Sequence, residues 1–221
     1  MSYQAIETPF QFRYCCWFCG EPAASHLDFP QPGNIVLDCP HPPLSLNTCA
    51  ECYHLAARCK VTSIWQVREQ VKRLLFQRYQ KDLAIGINWT EQELANSEFA
   101  GGNFAGFQRS AWMMFEIAKA RVNFCGWALI LGGINIEDLK CKESEPFQFD
   151  GIEFPSINDA VIHYAKTFDL DKAFFLQVTD ILGQEKFSQA VRFCRLLVGS
   201  TPNERKAALK QLRSNLNGYP I

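Results

Sequence analysis

Apolar side chains recur at helical spacing from residue 63 to 86: Ile64, Val67, Val71, Leu74, Leu75, Tyr79 and Leu83. Ser63 is a suitable N-cap and Gly86 a suitable stop, so this stretch predicts one long amphipathic helix. Thr90 and Glu93 form a capping box for a short helix after it. Residues 104–130 predict a second long helix, rich in Phe, Trp and Met, with Met113 and Met114 in the core. Its last part, "FCGWALIL", is expected to pack on the first helix, and Gly132-Gly133 marks a turn or linker. The pattern then changes. Phe147, Phe149, Ile152 and Phe154 flank Asp150-Gly151, a strong hairpin signal. Ser156 and Asp159 open a helix, with others expected at about 169–182 and 185–198. Thr201, Pro202 and Glu204 start a last one.

These elements predict an α+β fold that is mostly α. The expected parts are a finger at 1–62, a helical core at 63–140 and a hairpin-plus-helices region at 141–221. Composition agrees with a folded chain: of 221 residues, 48% are hydrophobic and 20% charged. There is no uninterrupted apolar run of about 18 residues and no basic start followed by an apolar block. A cytoplasmic protein with no membrane contact is expected.

In a reducing compartment, ten cysteines point to metal binding more than to disulfides. Cys16 and Cys19 form one C-x2-C and are followed by Gly20; Cys49 and Cys52 form another. Two such pairs make the ligand set of a tetrahedral zinc site, because each turn aims two thiolates at one point. Cys15 is an alternative to Cys16 one residue out of register. A rubredoxin-like iron site uses the same spacing but favours a glycine after both pairs, where Tyr53 follows the second. A second metal on Cys39, His41, His54 or Cys59 is the lesser alternative. The second pair runs into a helix-like stretch, with Asn47 or Thr48 as its expected N-cap, and "ASHLDF" and "NIVLDC" can supply strands. Knuckle, strands, knuckle and helix are the layout of a treble-clef finger.

Charge is unevenly distributed. Residues 58–81 carry seven bases and one acid, net +6, and residues 185–221 seven bases and two acids, net +5, within an otherwise acidic chain of net −1. Arg68, Lys72, Arg73, Arg78 and Lys81 lie opposite the apolar stripe of the first helix. In one reading they contact nucleic-acid phosphates; in the other they face water or an acidic protein partner. No phosphate-cradling glycine loop or dinucleotide fingerprint occurs, so no nucleotide cofactor is expected.

The stretch "CWFCG…SHLDFP…HPPLSLNTCAECYHLA" resembles the zinc-binding HNH endonuclease-like treble clef over residues 14–58. The resemblance implies a general-base histidine at His26, with Asn47 and His54 beside a catalytic Mg2+. Each is displaced from the family pattern. Ser25 precedes His26, Asn47 stands where a proline is usual, and His54 falls one position late. That points to a finger that keeps structural zinc and has lost its chemistry. Residues 147–180 resemble, more weakly, the modular DNA-binding repeats that accompany homing endonucleases, through Gly151, Phe154, Ser156, Ile157 and Ala160. The expected function is a zinc-stabilised nucleic-acid-binding protein, DNA before RNA. A protein-interaction scaffold and an HNH-type nuclease are the alternatives.

Overall fold

The computed structural model describes residues 2–96, 105–137 and 146–217. It is α+β and mostly helical, in two compact units, Met1–Pro155 and Ser156–Ile221. The expected finger and helical core share the first unit. The "KESE" segment lies outside the described residues.

The first unit begins with a three-stranded sheet. β2 (Ser25–Phe29) pairs antiparallel with β3 (Leu44–Thr48), and β1 (Gln4–Ala5) pairs parallel with the other edge of β3. Alternation decides the faces: Leu27, Phe29, Leu44 and Leu46 point inward, while His26 and Asp28 point away from that buried face. "NIVLDC" is not the second strand. Ile35 and Leu37 are 80% and 90% exposed in the loop before β3. "LSLNT" takes the place because it alternates in period two and ends directly at Cys49, whereas "IVL" is an unbroken apolar run.

The helices follow. α1 spans Ala50–Ala56 and α2 spans Ile64–Arg78, with the Ser63 hydroxyl accepting from the Gln66 amide as its cap. The expected single helix over 63–86 bends at Tyr79, whose ψ is 13°, and continues as α3 (Gln80–Asn88). The bonds Tyr79 N–H to Leu75 O and Leu83 N–H to Tyr79 O carry the ladder through the bend, both at 2.9 Å. Gly86 does not stop the helix. It sits inside α3, where the Phe115 ring packs on its Cα. α4 (Glu91–Ala95) carries the Thr90–Glu93 capping box.

α5 (Ala105–Asn123) is shorter than the expected helix over 104–130. The helix ends at Asn123, the backbone turns through Gly126 at φ +66°, and a hairpin follows: β4 (Leu129–Leu131) and β5 (Ile134–Ile136) around Gly132-Gly133. Both glycines have positive φ, so the pair makes a sharp turn. Met113 and Met114 are 59% and 49% exposed, because the buried face of α5 runs through Phe115, Ala118 and Val122. The hairpin of β6 (Phe147–Phe149) and β7 (Ile152–Phe154) forms around Asp150-Gly151 as expected. Asn123 holds it to the end of α5, donating to Gly151 O at 2.8 Å and accepting from the Glu153 amide at 3.0 Å.

The second unit is helical: α6 (Ile157–Thr167), α7 (Lys172–Leu182), α8 (Phe187–Leu196) and α9 (Pro202–Asn217). Local caps set their starts. Ser156 caps α6 and Asp171 caps α7, while the Thr201 hydroxyl and Glu204 carboxylate close a capping box at the expected start of α9. Tyr164, Phe175 and Phe187 form its aromatic centre.

His163 on α6 is 5% exposed. Burial pushes its imidazole down from 6.5 to about 4, with the Lys166 ammonium adding to the effect. Between those two values the unfolded chain takes up a proton that the folded chain does not. Stability from this group is therefore complete above pH 6.5 and falls with acidification, by about 2 kcal/mol at pH 5. Urea unfolding at pH 7 and pH 5 checks this. The loss shrinks in His163→Phe; equal losses in both proteins would remove His163 as the cause.

Candidate metal centre

Sequence builds the centre from two tight turns. In the first, the Gly20 amide donates to Cys16 O at 2.9 Å, and Gly20 adopts φ +77°, which a glycine takes without strain. In the second, Cys49 itself is the N-cap of α1, its sulfur accepting from the Cys52 amide at 3.4 Å. The expected caps Thr48 and Asn47 lie one and two residues earlier, in β3. A thiolate at this helix start meets free amides and the positive end of the peptide dipoles.

The sulfurs of Cys16, Cys19, Cys49 and Cys52 all lie within 4.8 Å of one another, and all four residues are buried. Cys19 and Cys49 are 3.7 Å apart. Four sulfurs at the usual zinc–sulfur distance of about 2.3 Å stand about 3.8 Å apart at the corners of a tetrahedron, so the donor set fits such an ion. Hydrogen bonding from the Cys16 thiol holds Cys19 down at about 7, and the same contact raises Cys16. Thiols this close divide into proton donors and thiolates, and a cation relieves that competition. Cys15 stands outside the cluster, in a bridge to Pro22. No second group of three or more His, Cys, Asp or Glu side chains able to hold a metal occurs among the described residues.

His41, one of the four residues of the second candidate set, has another task. Its Nε2 accepts from the Ile64 amide at 3.0 Å, and its Nδ1 faces Pro42 O at 2.9 Å. This bonding fixes a neutral ring that caps α2. His26 is exposed on β2, directly opposite Asn47 in register. Asn47 donates to Arg13 O at 2.9 Å. His54 is exposed on α1 and lies edge-on to Tyr53. The structure thus pairs His26 with Asn47, and among the described residues no trio of histidines or carboxylates gathers around them.

Two residues of the basic stripe, Arg68 and Lys72, are held by backbone carbonyls, while Arg73, Arg78 and Lys81 stay exposed. The sequence places Lys72 on the solvent face, but it is 9% exposed, and its ammonium donates to Arg121 O, Val122 O and Phe124 O at 3.0, 2.9 and 2.7 Å. These are carbonyls at the end of α5 and just past it, which a cation satisfies. Arg68 bonds Cys125 O and lies over the Trp17 ring, 4.9 Å from its centroid. Arg73 pairs with Glu69 at 2.6 Å and Arg78 with Glu51 at 3.0 Å. Lys81 is exposed on α3.

Sequence reasoning missed Arg121, Glu51 and Tyr79. Arg121 Nη2 reaches Cys19 Sγ at 3.6 Å and also donates to Glu51 Oε2, and its Nη1 bonds the Tyr79 hydroxyl. Tyr79 in turn donates to Glu51 at 2.8 Å. The available signals were an arginine in the last turn of α5 and a glutamate inside the second C-x2-C. No helix among the described residues is long and apolar enough to cross a membrane. The chain matches no known protein family, no curated protein and no solved structure.

Proposed function

We propose that the chain is a zinc-stabilised binding protein in which the metal is structural and carries no catalysis. The observation behind this reading is the burial of all four cysteines around one point. A catalytic zinc keeps three protein ligands and an open position for water, whereas a closed four-thiolate set leaves none. The absence of a glycine after Cys52 favours zinc over a rubredoxin-like iron, which uses the same four thiolates. Elemental analysis of the purified protein is expected to give one zinc per chain. Folded protein without stoichiometric metal would overturn the reading.

Nucleic acid is the partner supported by a specific observation, though not through α2. Lys206, Lys210 and Arg213 are exposed at i, i+4 and i+7 on α9, in the basic segment of residues 185–221. Lys72 and Arg68 are held by backbone carbonyls, and the exposed Arg73 and Arg78 form surface ion pairs with Glu69 and Glu51, which leaves α9 more available to phosphates. A gel-shift series with short duplexes tests this. The expected shift weakens with salt, and its slope against log salt falls by about 2–3 when all three are changed to Glu. A slope unchanged by the triple substitution removes α9 from the interface. No shift at low salt points to a protein partner, the scaffold reading. The HNH-type alternative rests on the His26–Asn47 pair alone, and plasmid is expected to stay uncut with Mg2+ present.

A further inference from the structure

The metal centre does not end at its four sulfurs. We propose that Arg121 is an outer-sphere member of the centre, and that through it metal occupancy is coupled to the docking of α5 onto the finger. The inference rests on the zinc reading above.

Charge and geometry carry it. Four thiolates around a divalent ion leave a net double negative charge in a buried place. A buried cation touches it. Arg121 Nη2 touches Cys19 Sγ at 3.6 Å, and the Arg121 side chain is only 10% exposed. Lys72, also buried, donates from its ammonium to the carbonyls of Arg121, Val122 and Phe124 and so fixes the backbone that carries Arg121. The Arg121 guanidinium offsets part of that charge. The remaining carboxylate, Glu51, lies between Cys49 and Cys52 and is shared by Arg121 and Arg78. The same guanidinium therefore grips a sulfur of the first knuckle and the carboxylate of the second.

The chain around Arg121 reinforces the clasp. Gly20, just after the first knuckle, packs on the Phe124 ring so closely that a Cβ would fall 2.9 Å from it. Trp17, inside that knuckle, donates from Nε1 to Trp127 O at 2.9 Å, and Gly126 packs against Trp17 O. Residues 121–127 thus hold both knuckles, with Arg121 the charged contact among apolar ones. A metal holds Cys19 as the thiolate, and a fixed thiolate strengthens this hold. By linkage, the hold strengthens metal binding equally.

The experiment uses the full chain. Zinc affinity is measured by competition with a chromophoric chelator for wild type, Arg121→Met, Arg121→Lys and the exposed control Arg73→Gln. Arg121→Met is expected to weaken zinc by about 10–100-fold, with Lys recovering part of the loss and the control unchanged. In Co2+-loaded protein, the sulfur-to-metal charge-transfer bands are expected to shift in Arg121→Met, which a purely structural role would not produce. If Arg121→Met does not fold, hydrogen exchange of the wild type with and without zinc decides. Protection at residues 115–127 is expected to fall together with that of the knuckles. A folded Arg121→Met with wild-type affinity and spectrum, or exchange changes confined to the knuckles, overturns the inference. A wild type without bound metal overturns the zinc reading instead.

Discussion

Chelation of the metal is expected to unfold the finger and to remove most of the stability of the first unit. Structural four-thiolate zinc contributes on the order of 10 kcal/mol, and a whole domain is stable by only about 5–15 kcal/mol. The sheet cannot compensate, because β2 and β3 have five residues each and β1 only two. Trp17 and Trp127 are 1% and 8% exposed, so their emission should shift red as chelator is added. Cys52→Ser should do the same without chelator, since it removes one of the four buried thiols of the cluster. Cys125→Ser, at an exposed thiol outside the cluster, should leave the melting temperature unchanged. A Cys52→Ser protein that melts like wild type would deny the metal its structural role.

The second large effect belongs to Gly86. A methyl group there would lie 2.1, 2.2 and 2.6 Å from three ring carbons of Phe115, distances that no rotamer adjustment of alanine can relieve. Phe115 is itself buried, so α3 and α5 must move apart or the ring must leave its site. Gly86→Ala is expected to cost about 3 kcal/mol, although alanine is ordinarily the better helix former by about 1 kcal/mol. Urea unfolding measures the loss. Adding Phe115→Leu should recover part of it, and the non-additivity of that pair reports the contact. Stabilisation by Gly86→Ala alone would mean that the two helices do not cross there.

Gly86 also shows where the sequence stopped being informative. A glycine at the end of an apolar pattern reads as a helix stop, and only the crossing of α5 gives it a different reason. Signals that act within a few residues were legible. The two C-x2-C turns, the caps at Ser63, Thr90, Ser156 and Thr201, and the Asp150-Gly151 turn each carry their own geometry. Contacts between distant segments were not. Lys72 and Arg68 sit at positions that read as a solvent face, yet they meet carbonyls some fifty residues away. The end of α5 was hidden for the same reason, since those side chains satisfy the carbonyls that its C-terminus leaves open. The choice between "NIVLDC" and "LSLNT" turned on which segment leads straight into the second knuckle.

The short strand β1 has a practical consequence for anyone trimming or tagging this chain. The Gln4 amide donates to Pro43 O at 3.1 Å, the Ile6 amide to Ser45 O at 3.2 Å and the Glu7 amide to Ile130 O at 2.9 Å, while Glu7 Oε1 accepts from the Gly133 amide at 2.7 Å. Residues 4–7 therefore shield one margin of β3 and stitch it to the β4–β5 hairpin. A truncation starting at residue 9 would leave that margin as an open template for strand addition from another molecule. Such a preparation should self-associate, visible as a concentration-dependent shift in light scattering, whereas the intact chain should not.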